Sequence, residues 1–146
     1  MTGLTITIFA DKVSENIAAI SKEFMRQRTG EFYKVKVTLP QLAILELLFR
    51  SGELNMSDMA RFANVTTAAM TGIIDRLVRD GYAVRTAVPD DRRVIKIKLT
   101  AKGDKVVKNV IEERRHLVTR IFGALSHSER EEYLKILTRI REGLSA

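Results

Sequence analysis

A chain of 146 residues with no cysteine and a formal charge of +7 has room for one core but not for two large independent ones, and it can build no disulfide framework, thiolate metal site or thiol redox switch. Hydrophobic residues at 45%, charged residues at 29% and only two prolines mark a helix-rich folded chain rather than a disordered one. The positive excess fits an anionic partner such as nucleic acid, while no stretch approaches the roughly 20 apolar residues of a membrane span and the start lacks the pattern of a secretory signal, so the cytoplasm is the expected compartment.

From Asp11, read as an N-cap, Val13, Ile17, Ile20 and Phe24 recur at helical spacing until Thr29-Gly30 and predict a first helix. Thr38-Leu39-Pro40-Gln41 sets a capping threonine three residues before a glutamine, with proline in the first turn. Leu42, Leu45, Leu48 and Phe49 then carry a second helix to Ser51-Gly52. A short third helix is expected from Ser57, its cap, to about Ala63, with Met59, Ala60 and Phe62 inward. Asn64 tolerates a left-handed backbone and Thr66 is again a capping residue, so the next helix meets this one at a tight angle, which is helix-turn-helix spacing. That fourth helix, Thr67 to Asp80, buries Met70, Ile73, Ile74 and Leu77 and stops at Gly81.

After Gly81 the apolar period changes from helical to two: Ala83 to Val88, a charged tip Pro89-Asp90-Asp91-Arg92-Arg93, then Val94 to Leu99. This predicts a β-hairpin with Ile95, Ile97 and Leu99 on one face and Val94, Lys96 and Lys98 on an outward, basic face. Thr100 caps a long fifth helix carrying Val107, Val110, Ile111, Leu117, Val118, Ile121, Phe122 and Leu125, and Ser126-His127-Ser128-Glu129 is a capping box for a last helix with Tyr133, Leu137, Ile140 and Leu144 on one side. Arg114 interrupts the apolar stripe of the fifth helix, where it can pair with an acid across an interface, hold an anion or reach water along its stem.

In a helix-turn-helix the second helix enters the major groove while a neighbouring hairpin touches the flanking backbone or the minor groove. The outward side of the fourth helix begins with Thr66, Thr67, Ala68, Ala69, Thr71 and Gly72, small residues that let a backbone approach base edges, and Arg76 and Arg79 further along are within reach of phosphates. At the hairpin tip Asp91 can brace one of two projecting guanidiniums, those of Arg92 and Arg93. The chain has no glycine-rich phosphate loop, no nucleophile motif beside a base and no patterned carboxylate pair, so an enzyme is not expected and no cofactor is called for. His116 and His127 lie on separate helices and read as surface or interface residues rather than metal ligands.

These motifs resemble the MarR family of winged helix-turn-helix regulators. The family's wing pattern, Asp-x-Arg followed by five residues and Leu-Thr-x-x-Gly, reads here as Asp91-Arg92-Arg93, Val94 to Lys98, and Leu99-Thr100-Ala101-Lys102-Gly103. Leu39-Pro40-Gln41, Asp75-Arg76-Leu77 and Asp80-Gly81 extend the likeness over nearly the whole chain. The resemblance implies a mainly α fold with a small β-hairpin wing (α+β), a single MarR-like domain in which residues 38–99 form the DNA-binding lobe and residues 11–37 and 100–146 the dimerisation helices. It further implies a cytoplasmic homodimeric repressor of transcription on double-stranded DNA, a pseudo-palindromic operator with recognition helices in successive major grooves, Arg93 in the minor groove with Asp91 orienting it, and release by a small ligand. A small aromatic or anionic effector is expected near Phe24, Arg28, Phe32 and Tyr33, which cluster at the end of the first helix. Gly72 stands where relatives often carry a longer polar or basic residue, so affinity is expected to lean on phosphates and the wing. The alternative is a winged-helix module for protein contacts without DNA binding.

Overall fold

The computed structural model describes residues 3–27 and 37–145. Six helices and three strands follow in the order α1 (Ile6–Gln27), α2 (Leu39–Ser51), β1 (Leu54–Asn55), α3 (Met56–Ala63), α4 (Thr67–Arg79), β2 (Ala83–Val88), β3 (Asp91–Leu99), α5 (Ala101–Phe122) and α6 (His127–Leu144), among the described residues. Among those residues no helix is long and apolar enough to cross a membrane. The chain divides into two compact units, residues 29–112 and residues 1–28 with 113–146.

The first of these holds the core. Leu45, Leu48, Met59, Met70, Ile74, Leu77, Ile97 and Val107 are almost wholly withdrawn from solvent. Burying each such side chain favours folding by roughly 1.5–3 kcal/mol, so the packing of α2, α3, α4, β3 and the start of α5 rests mainly on apolar contact. Caps then set where each helix starts. The Thr38 hydroxyl accepts from the Gln41 amide at 3.4 Å while the Gln41 side chain accepts from the Thr38 amide at 3.0 Å, completing the predicted box and satisfying a buried glutamine.

Several expectations are corrected. α1 begins five residues before the expected Asp11, because Thr5 is the cap, its hydroxyl accepting from the Ile8 amide at 3.3 Å, and because Ile6 and Phe9 continue the same apolar stripe. α3 is capped by Asn55, whose side chain accepts from the Asp58 amide at 2.8 Å, rather than by Ser57. Phe62 does not point inward; it is 54% exposed, since Met59 and Ala60 already fill the buried side of so short a helix. The hairpin is part of a three-stranded antiparallel sheet of order β1-β3-β2, with Leu54 opposite Ile97 and Asn55 opposite Lys96. A strand of two residues leaves no periodicity to read, so β1 was invisible as sequence.

The other unit contains α1, the second half of α5 and α6. The Ser126 hydroxyl and the Glu129 carboxylate form the predicted capping box at the head of α6, and Phe122 stacks near Tyr133 with ring centroids 5.5 Å apart. No side chain of α6 is buried, and Ile17, Leu134, Ile140 and Leu144, the last at 83%, stay exposed.

Candidate nucleic-acid interface

Two tight junctions aim the fourth helix. At the first, Asn64 takes the left-handed conformation (φ 52°), and the amides of Val65 and Asn64 return to the carbonyls of Ala60 at 3.0 Å and Arg61 at 3.2 Å. This closes α3 and turns the chain at once into the Thr66 cap, whose hydroxyl accepts from the Ala69 amide at 3.1 Å. At the far end Gly81 (φ 82°) and Tyr82 send their amides to Val78 and Leu77 in the same paired arrangement, so α4 ends where the wing begins.

Between these stops Met70, Ile74 and Leu77 seat the helix in the core, with Ile73 half-buried, as expected. The opposite side carries Thr66, Thr67, Ala68, Ala69, Gly72 and Arg76, all exposed, and Thr71 half-buried. A Cβ at Gly72 would meet nothing within 4 Å. The Thr66 oxygen accepts internally, leaving its O–H to donate outward, whereas the Thr71 hydroxyl donates to the Thr67 carbonyl at 2.9 Å and keeps only acceptor capacity. With Ala69 and Met70 amides already bonded to Thr66, the first amides of the helix, at its positive dipole end, remain directed at whatever lies ahead. Arg76 is exposed, while Arg79 is drawn to Asp80 at 3.2 Å.

The wing differs from the sequence reading in one respect that matters. The turn is only Pro89-Asp90, because Val88 pairs with Asp91, and Arg92 and Arg93 therefore belong to β3. Between the pairs Ala87–Ile95 and Val88–Asp91 the register shifts, so Arg92, Arg93 and Val94 form an irregular stretch of β3. Deeper in the hairpin Arg85, opposite the buried Ile97, reaches Asp75 of α4. Asp91 does orient Arg93, but through the backbone: its carboxylate accepts from the Arg93 amide at 3.0 Å. Among the described residues neither Arg92 nor Arg93 is engaged in an ion pair, and both are exposed. Ile95, expected on the inner face, is 47% exposed because the strand has run past the core toward the tip.

The base of the wing explains the Leu-Thr-x-x-Gly segment. The Thr100 amide donates to the Tyr82 carbonyl at 3.1 Å, and its hydroxyl donates to the Gly81 carbonyl at 2.6 Å and accepts from the Gly103 amide at 3.1 Å. A Cβ at Gly103 would stand 2.1 Å from the Tyr82 oxygen, so only glycine admits this close approach of α5 to the end of α4.

The family model described as MarR family matches residues 37–95, the stretch from the second helix into the wing. The HTH-type transcriptional regulator YfiV of Bacillus subtilis is 31% identical over 116 residues, 77% of this chain and 72% of that protein. The chain belongs to the MarR family. It is thus a DNA-binding transcriptional regulator, from a family of regulators rather than enzymes. The HTH-type transcriptional repressor MdtR of B. subtilis is 28% identical over 127 residues, 87% of this chain and 82% of its own length. Among solved structures, that of FabT from Streptococcus pneumoniae in complex with DNA shares the fold, with a TM-score of 0.72, 21% identity and coverage of 96% of this chain and 95% of that one.

Of the remaining expectations for this MarR-family chain, the effector group falls mostly outside the described residues. Arg28, Phe32 and Tyr33 lie there, and Phe24 is half-buried near the end of α1. His127 is paired with Glu131 at 3.3 Å, and among the described residues no group of three potential metal ligands converges. The Asp75–Arg85 pair was not singled out from sequence; only the placement of β2 beside α4 brings these residues together.

Proposed function

We propose that this regulator is a repressor that binds a pseudo-palindromic duplex site as a homodimer, laying the amino-terminal half of α4 in the major groove and the Arg93 guanidinium in the flanking minor groove. The observation that carries the reading is the exposed Arg93 side chain beside the tip of a short hairpin, its backbone fixed by Asp91. A narrow minor groove concentrates negative potential that favours an inserted guanidinium. Thr66, Thr67, Ala68, Ala69, Thr71 and Gly72 then face base edges, with Arg76 and Arg92 on phosphates. A MarR-family neighbour solved on DNA and a relative named as a repressor support the same direction.

Dimerisation, through the helices flanking the reading lobe, is proposed from the exposed apolar residues of α1 and α6, whose shielding drives helix association. Two-fold symmetry then spaces half-site centres about one helical turn, roughly 10 base pairs. Control by a small aromatic or anionic effector, with Phe24 as one contact, is part of the proposal and is tested by a phenolic and carboxylate screen for shifts in DNA affinity.

The decisive experiment is Arg93→Ala, titrated over a salt series on a duplex selected by the wild-type protein from a random library. Binding weakens by about 1–3 kcal/mol and the salt slope becomes shallower by about one. Unchanged affinity and slope in a folded variant would remove the wing from the DNA contact.

A further inference from the structure

A direct polar contact ties the two proposed reading elements. Arg85, near the middle of β2, donates to Asp75, on the flank of α4 one turn after Thr71. We propose that Asp75 is a positioning residue for DNA binding: by holding Arg85 it fixes the wing against the recognition helix, and so fixes where Arg93 stands. The proposal rests on the reading of α4 and the wing as the DNA-contacting elements.

Three observations carry it. The pair crosses from helix to strand and so constrains two elements, whereas Arg61–Asp58, Arg79–Asp80 and Lys108–Asp104 each join residues no more than four apart in sequence. It is an exposed pair, with side chains 59% and 35% accessible, and exposed pairs contribute little to folding stability. Its value therefore lies in geometry. Finally, Arg85 pairs with Ile97 in the regular part of the β2–β3 ladder, two positions before the register shift beyond which Arg93 lies, so its anchoring sets the base from which the tip projects.

Electrostatics makes the idea testable by sign. Asp75→Asn removes a negative charge from a DNA-facing lobe, which by charge alone tightens binding. Arg85→Gln removes a positive charge, which by charge alone loosens it. If the pair positions the wing, both variants weaken binding of the library-selected duplex, each by about five- to twentyfold, despite opposite charge changes. A merely structural role is distinguished by a double-mutant cycle. In an Arg93→Ala background the Asp75→Asn penalty shrinks severalfold, because the wing has lost its groove contact and only the Arg92 phosphate contact is left to displace. Thermal unfolding of Asp75→Asn stays close to wild type.

Tighter or unchanged binding by Asp75→Asn would overturn the proposal. So would full additivity of Asp75→Asn with Arg93→Ala. If Arg93→Ala itself leaves affinity unchanged, it is the wing reading that fails; if Arg93→Ala weakens binding and Asp75→Asn does not, only the tie fails.

Discussion

Two glycines of the unit that holds the core offer the same substitution with opposite expected signs. At Gly103 a methyl group would lie 2.1 Å from the Tyr82 oxygen, 3.0 Å from its carbonyl carbon and 3.2 Å from Leu99 Cδ2. The obstacle is backbone, held in place by the Thr100 amide at 3.1 Å, so it cannot step aside as a side-chain end can. Overpacking of this kind costs about 1–3 kcal/mol. Losing the Thr100 bond adds about 1 kcal/mol. The better helix propensity of alanine returns about 1 kcal/mol. Gly103→Ala is therefore expected to destabilise by roughly 1–3 kcal/mol. Gly72 lies inside α4, exposed, with nothing within 4 Å of its missing Cβ, and Gly72→Ala is expected to stabilise by about 0.5–1 kcal/mol. Urea unfolding of wild type and both variants at one protein concentration measures the difference, the fixed concentration removing any contribution from association. Equal stability of Gly103→Ala and wild type, or a shift of both variants in the same direction, would refute the steric account of the wing base.

Thr66→Ala leaves the Ala69 amide without its cap and is expected to cost about 1 kcal/mol in the same assay, with DNA binding also reduced because the head of α4 loosens. In α6 the Ser126 amide, at 2.6 Å, and then the Ser126 hydroxyl hold the Glu129 carboxylate below its ordinary titration range. A depressed folded-state value means that this contribution is complete above the ordinary carboxylate range and vanishes as pH falls through the lowered one. Hydrogen exchange at the Ser126 amide should accordingly rise only below the ordinary range in wild type and be pH-insensitive there, beyond the intrinsic rate, in Glu129→Gln; loss of protection already at the ordinary carboxylate pH would contradict the bond. Sedimentation equilibrium at micromolar concentration is expected to report twice the mass of one chain, and a stable monomer would remove the role proposed for the exposed residues of α1 and α6.

Local signals made most of the helix boundaries legible. Thr38 with Gln41, Asn64, Thr66, Gly81, Thr100 and the Ser126 box each act within a few residues, so the chain segment alone carries the physics of the cap or stop. The apolar stripes that seat α2 and α4 are equally local, since one face of a helix is defined by spacing. The stretch that determined the wing, from Asp91 to Gly103, was readable as a pattern, but its reason was not.

That reason is tertiary. Gly103 is required because Tyr82, more than twenty positions away, brings its carbonyl into the space of a Cβ. β1 exists because β3 offers an unpaired edge to Leu54 and Asn55. The tip arginines fall within β3 because the turn closes at Val88 and Asp91, so that strand starts three residues earlier than the charged run suggests. Asp75 and Arg85 belong to different elements and no periodicity links them; packing of β2 beside α4 places one within reach of the other. Caps and stripes depend on neighbours in sequence, whereas register, close approach and ion pairing between elements depend on where folding puts distant backbone, and only the assembled structure decides that.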